Sequence, residues 1–147
     1  RAYHHTAPVN ALYGLHESLV ILQDEGLENA WARHAAMHRC LAAGLESLGI
    51  RFVVDADSRL PQLNSVYIPD GVDDAGVRQQ LLEKHNLEIG AGLGDFAGKV
   101  WRIGLMGYSA RMENIRLLLS ALAEAMQAQG YDCDAAAAIA AAEAAQG

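Results

Sequence analysis

The spacing of the apolar residues changes at Gly49, and that change confines the chain to folds that mix helices with a sheet. On the N-terminal side the apolar positions recur every three or four residues. Leu12, Leu15, Leu19 and Leu22 do so between Pro8 and Asp24, with Thr6 placed to cap, Pro8 in the first turn and Gly26 as the stop. Trp31, His34, His38, Leu41, Leu45 and Leu48 repeat the pattern from Leu27 onward and predict a second helix that Gly49 ends. Beyond Gly49 the apolar runs are short and β-prone: Ile50 to Val54, then Leu63 to Ile68 between Pro61 and Pro69. Asp73 or Asp74 can cap a helix carrying Val77, Leu81 and Leu82. Leu87 to Ile89 reads as a brief strand and Lys99 to Leu105 as a clear one. Ser109 is placed to cap the last strong helix, whose stripe of Met112, Ile115, Leu119, Leu122 and Met126 runs up to Gly130.

This order predicts an α/β (α+β) class: a two-layer sandwich with helices on one face of a mostly antiparallel or mixed sheet. Residues 27–130 form the expected small domain, and residues 1–26 a helical segment that belongs to something else. The alanines of residues 131–147 favour helix but offer little to bury, so a weakly ordered, weakly docked tail is expected. With 52% hydrophobic and 20% charged residues in 147, a real core is within reach. A net charge of -7 opposes a grip on nucleic-acid phosphates, and no run approaches the roughly 18 apolar residues of a membrane span. The expectation is a soluble protein whose partners are small molecules or protein. Cys40 and Cys133 make neither a disulfide framework nor a CxxC metal knuckle, which fits a reducing cytoplasm. The chain opens on Arg1 rather than Met, so a piece of a longer protein is expected.

Strand alternation sets Trp101, Ile103 and Leu105 on one face, the core face, and Val100, Arg102 and Gly104 on the other. A guanidinium beside a glycine leaves open space above the sheet, and its planar fork suits a carboxylate or phosphate. Periodicity alone favours an ordinary surface arginine. The loop from Gly90 to Gly94 has the small residues of a phosphate cradle, but no helix opens at its third glycine and no βαβ unit surrounds it. His34 and His38 stand one turn apart, with His4 and His5 offering further nitrogens; no third ligand has convincing spacing, so a packed pair is expected rather than a metal. Cys40 points off the apolar stripe and Cys133 has no adjacent base, which leaves a desulfurase without its nucleophile.

Four segments share one further property. Tyr-His-His-Thr-Ala-Pro at 3–8, Leu-Pro-Gln-Leu-Asn-Ser-Val at 60–66, Glu-Ile-Gly-Ala-Gly-Leu-Gly at 88–94 and Gly-Lys-Val-Trp-Arg-Ile-Gly-Leu-Met-Gly at 98–107 together resemble the C-terminal part of class V, fold-type I, pyridoxal-phosphate-dependent aminotransferases. The group resembled is that of the alanine–glyoxylate and serine–pyruvate enzymes, over roughly Arg1 to Met126. The resemblance implies that Arg102 binds the α-carboxylate of the amino or keto acid. It implies that Tyr3 and Thr6 contact the cofactor phosphate of the partner subunit in a homodimer, and that residues 1–26 join a large domain to this small one as a dimer-interface helix. Gly92 and Gly94 then lie in a loop near the substrate entrance, one layer behind the substrate.

A transaminase also needs a Schiff-base lysine and an aspartate against the pyridine nitrogen. Lys84 sits on a charged helix and Lys99 precedes a strand, and neither matches the family's lysine position, so both groups are expected upstream of Arg1. The chain alone is therefore expected to be inactive, its full-length reaction moving an amino group between alanine or serine and glyoxylate or pyruvate. A non-catalytic acid-binding or dimerisation domain and a sister lyase or desulfurase are the alternatives.

Overall fold

The structure, a computed structural model, describes residues 4–146, which fall into two compact units dividing after Arg33. The first contains α1, Val9–Glu25, and the opening of α2, Leu27–Ser47. Gly26 separates them in a positive-φ conformation, φ 84°, that its missing Cβ tolerates, and its N–H closes α1 on the Leu22 carbonyl. Arg33 grips Glu25 through Nε and Nη2 at 2.5 and 2.8 Å. Thr6 is exposed and does not cap α1: Pro8 itself occupies the N-cap position, and no side chain caps it. Thr6 stands three residues before the first helical residue, two places ahead of the cap position. No residue of α1 is buried, and Val9, Leu12, Tyr13, Leu15, Leu19 and Ile21 are each about half exposed or more.

The second unit starts at His34. The stripe of α2 that enters its core is Met37, Cys40, Leu41 and Leu45, continued by Leu48 just past its end, so Cys40 is fully buried where it was expected to point away, and Trp31 is exposed. Gly44 explains the rotation. A Cβ there would lie 2.4 Å from Leu119 Cδ1 and 3.2 Å from the Ala138 carbonyl oxygen, so the smallest residue of the helix, not the largest, marks its line of closest approach.

Three antiparallel strands, β1 (Leu63–Tyr67), β2 (Gly90–Ala91) and β3 (Val100–Gly104), make a sheet in the order β1-β3-β2. Trp101, Ile103 and Val66 enter one core with the apolar faces of α2, α3 (Asp74–His85), α4 (Met112–Gln127) and α5 (Ala135–Ala144). The helices thus cover one sheet face, as the two-layer expectation has it. Each fully buried large side chain here contributes roughly 1.5–3 kcal/mol by leaving water.

Four details depart from expectation. The run from Ile50 to Val54 is a single bridge, Phe52 to Val66, flanked by Val53 N–H to Ser65 O and Tyr67 N–H to Arg51 O, because the chain then leaves for a 3-10 turn at Ala56–Ser58. Leu87 to Ile89 is not a strand: Leu87 N–H still bonds the Leu81 carbonyl to finish α3 behind left-handed Asn86, which delays β2 to Gly90. Ser109 does not cap α4 but sits in a 3-10 turn, Gly107–Ser109, and Arg111 takes the cap position. The alanine-rich tail is a helix capped by Asp134, with Ala138 and Ala142 fully buried. Small side chains there let the helix sit close to α4 and Gly44, which substitutes proximity for bulk. Asp73, by contrast, caps α3 as expected, its Oδ2 accepting the Gly76 N–H at 2.6 Å.

Candidate functional site

Arg102 lies mid-strand in β3, paired with Ser65 of β1 on one side and Gly90 of β2 on the other. Its half-buried side chain rises from the face opposite Trp101 and Ile103. Nε donates to the Ala91 carbonyl at 2.8 Å, which fixes the plane of the fork. Gly90 makes the pose possible, since a Cβ there would stand only 3.2 Å from Nη2. Among the described residues, Nη1 and Nη2 have no hydrogen-bond partner and Arg102 has no ion pair. The end-on edge of the guanidinium is thus held in place with two parallel donors to spare.

Arg102 also lines a cavity of about 240 Å³. Ser65 and Val100 line it beside Arg102, Val53 and Val54 come from the segment running along β1, and Leu93 and Phe96 from the loop after β2. The loop is held by Gly92, which is buried: a Cβ would meet the Phe96 carbonyl oxygen at 2.0 Å and the Val100 oxygen at 3.1 Å. Gly94 plays a different part, with φ 56° and open space around it, opening the 3-10 turn Gly94–Phe96. Gly92 thus lines the cavity with its backbone, and Gly94 does not line it. Tyr3 lies outside the described residues, and Thr6 belongs to the first unit.

β3 is anchored from its other face. Trp101 Nε1–H donates to Asp74 Oδ1 at 3.0 Å, and Arg78 binds both oxygens of the same carboxylate at 2.7 and 3.1 Å. The Arg78 hydrogen bond, with a smaller contribution from Trp101, holds the Asp74 carboxyl below its usual range against the opposing effect of burial. The histidines have structural partners: His34 Nε2 accepts the Gly107 N–H at 2.9 Å, and His38 Nδ1 faces Asn64 Oδ1 at 2.8 Å. Burial pushes His38 below the ordinary imidazole range, opposed by its bond to Asn64. Burial likewise raises the Cys40 thiol, which suits an inert core residue. Lys84 pairs with Glu124 at 3.1 Å and Lys99 is exposed, and neither lines the cavity.

Gly90, Ser65, Leu93 and Phe96 escape a reading of the sequence residue by residue. Only the cross-strand register, which no single strand reveals, brings Ser65 and Gly90 against Arg102.

An arginine fork held over an apolar hollow on a short antiparallel sheet occurs here in a chain with clear relatives. It is 46% identical over 128 residues to the alanine–glyoxylate aminotransferase of Callithrix jacchus, covering 86% of the chain and 31% of that relative. The structure superposes on the ureidoglycine–glyoxylate aminotransferase of Bacillus subtilis with a TM-score of 0.91 at 37% identity, covering 97% of the chain and 37% of that structure. The chain's homologues are aminotransferases. The pyridoxamine–pyruvate aminotransferase of Mesorhizobium loti aligns with a TM-score of 0.92 at 32% identity, covering 99% of the chain and 37% of that structure. The fold is that of the C-terminal domain of these aminotransferase homologues, and the chain spans about a third of their length. No family model matches the chain. No helix among the described residues is long and apolar enough to cross a membrane.

Proposed function

We propose that this chain is the C-terminal small domain of a pyridoxal-phosphate-dependent transaminase that moves an amino group between alanine or serine and glyoxylate or pyruvate. Arg102 binds the α-carboxylate. The observation that carries this reading is the guanidinium itself, oriented through Nε by the Ala91 carbonyl with both Nη donors left for a ligand. A carboxylate meets those two donors with both oxygens, an arrangement a lysine ammonium does not reproduce. The apolar surroundings keep water from competing for the pair.

Pyridoxal phosphate, when bound, supplies the electron sink that lets the amino group move. Neither lysine of the chain adjoins Arg102, so the residues in hand fit a substrate clamp and not the cofactor's main anchor. The lysine and the pyridine-nitrogen aspartate then belong to the large domain, and the isolated chain does not transaminate. Tyr3 and Thr6 contribute to the cofactor phosphate of the partner subunit in a cytoplasmic homodimer. Residues 1–26 join the large domain to residues 27–130, a role supported by the apolar side chains that α1 leaves unburied.

The test is Arg102→Lys in the full-length protein. Loss of one charge-assisted pair, worth about 1.5–3 kcal/mol, weakens amino- and keto-acid binding roughly 10- to 150-fold. The visible absorbance of lysine-bound pyridoxal phosphate stays as it was. Unaltered affinity for both acids refutes the role of Arg102, and a full-length protein without that absorbance refutes the enzyme.

A further inference from the structure

The cavity at Arg102 is chemically lopsided. The guanidinium and the Ser65 hydroxyl are its only polar side chains among the described residues, and the remaining wall is hydrocarbon from Val53, Val54, Leu93, Phe96 and Val100, with the bare backbone of Gly92. Its volume of about 240 Å³ is more than one carboxylate fills. A carboxylate on the Nη edge therefore leaves the carbon chain attached to it against the hydrocarbon wall. An alkyl group gains by leaving water there. A second carboxylate loses its hydration and finds no second cation, since no lysine or other arginine lines the space.

Phe96 is the wall's largest hydrocarbon side chain, and it is 46% exposed. Its backbone, however, is pinned on both sides. Phe96 N–H bonds the Leu93 carbonyl at 3.1 Å, the Phe96 carbonyl accepts the Lys99 N–H at 3.0 Å, and Gly92 packs directly beneath that carbonyl. The ring is thus a bulky group on a set backbone at the rim of the cavity, with no packing duty in the core. Such a position changes the size of the space without changing the fold.

Resting on the assignment of Arg102 as the carboxylate clamp, we infer that Phe96 is a specificity-determining residue: its ring closes the apolar end of the Arg102 cavity and limits the length of the alkyl chain on the acid bound there. The experiment uses the full-length holoprotein and straight-chain acids that cannot react. Dissociation constants for acetate, propionate, butyrate and pentanoate are measured by calorimetry and by competition with the amino substrate, in the wild type, Phe96→Leu and Phe96→Ala. Acetate, which does not reach Phe96, binds all three within about twofold. The pentanoate-to-acetate affinity ratio rises about tenfold or more in Phe96→Ala, the effect of one or two methylenes gaining room, and by less in Phe96→Leu. Glutarate, of the same length as pentanoate, binds at least about tenfold more weakly to the wild type, because its second carboxylate has no partner.

An unchanged ratio in Phe96→Ala overturns the inference, and so does glutarate binding as tightly as pentanoate. Arg102→Lys separates the two levels. If it weakens all four acids while Phe96→Ala leaves their ratio alone, the size limit fails and the clamp stands; if it leaves acetate binding unchanged, the clamp fails.

Discussion

Replacing Gly92 by alanine should open the loop that walls the Arg102 cavity. The added Cβ would sit 2.0 Å from the Phe96 carbonyl oxygen and 2.6 Å from its carbon, both backbone atoms that no rotamer change can move. Carbon and oxygen normally approach to about 3.3 Å, so the turn must shift by roughly 1.3 Å. Such overpacking costs about 1–3 kcal/mol. The same shift strains the 3.0 Å bond from Lys99 N–H to the Phe96 carbonyl that closes the turn. Losing it adds about 1 kcal/mol, for a total of roughly 2–4 kcal/mol. Gly94→Ala is the control, because a Cβ there meets nothing within 4 Å and only the positive φ of 56° is strained, at about 1 kcal/mol. Amide hydrogen exchange of residues 93–99 reads the loop directly, since exchange follows the free energy of local opening. At tenfold per 1.4 kcal/mol, Gly92→Ala should speed it roughly 30- to 700-fold and Gly94→Ala about fivefold. Exchange within twofold of wild type in Gly92→Ala, or a larger effect from Gly94→Ala, would refute the reasoning.

Two further perturbations test the frame around the site. His38 is held below its ordinary 6.5 by burial. Above that pH the imidazole is neutral in both states, and below it the unfolded chain takes up a proton that the folded one resists. The contribution to stability therefore falls as pH drops from 6.5 towards the lower folded value. Urea midpoints at pH 5.5 and pH 8 should differ less in His38→Gln than in the wild type, and an equal difference would count against this. Gly44→Ala drives a methyl to 2.4 Å from Leu119 Cδ1 and 3.2 Å from the Ala138 carbonyl, so thermal unfolding should reveal a loss of about 1–3 kcal/mol. A neutral result would mean that α5 is not seated on α2 as described.

Most of the helical architecture was legible because a long amphipathic repeat carries its own period. The stripe from Met112 to Met126 is buried as its spacing requires, and Asp73 caps α3. Where the reading slipped, a neighbour decided the outcome. Cys40 enters the core and Trp31 does not, because α2 approaches its partners at Gly44. The alanine tail is seated because close approach rewards small side chains, a gain invisible to any tally of large apolar residues. Ile50 to Val54 has strand-forming residues, yet it pairs with β1 only around Phe52 before the turn at Ala56 removes it.

At the site the division is sharper. The alternation of β3 by itself determined that Arg102 would point away from Trp101 and Ile103, since neighbouring side chains on a strand must face opposite ways. The resemblance to class V aminotransferases agrees with the aminotransferases found as the chain's homologues. Only the tertiary structure decided what Arg102 faces. Ser65 and Gly90 are 37 and 12 residues away in sequence yet pair with it directly, the Ala91 carbonyl takes its Nε, and Phe96 reaches the cavity through a turn that Gly92 permits. Those relations depend on strand register and loop closure, which are set by packing across the whole unit and leave no local period to read.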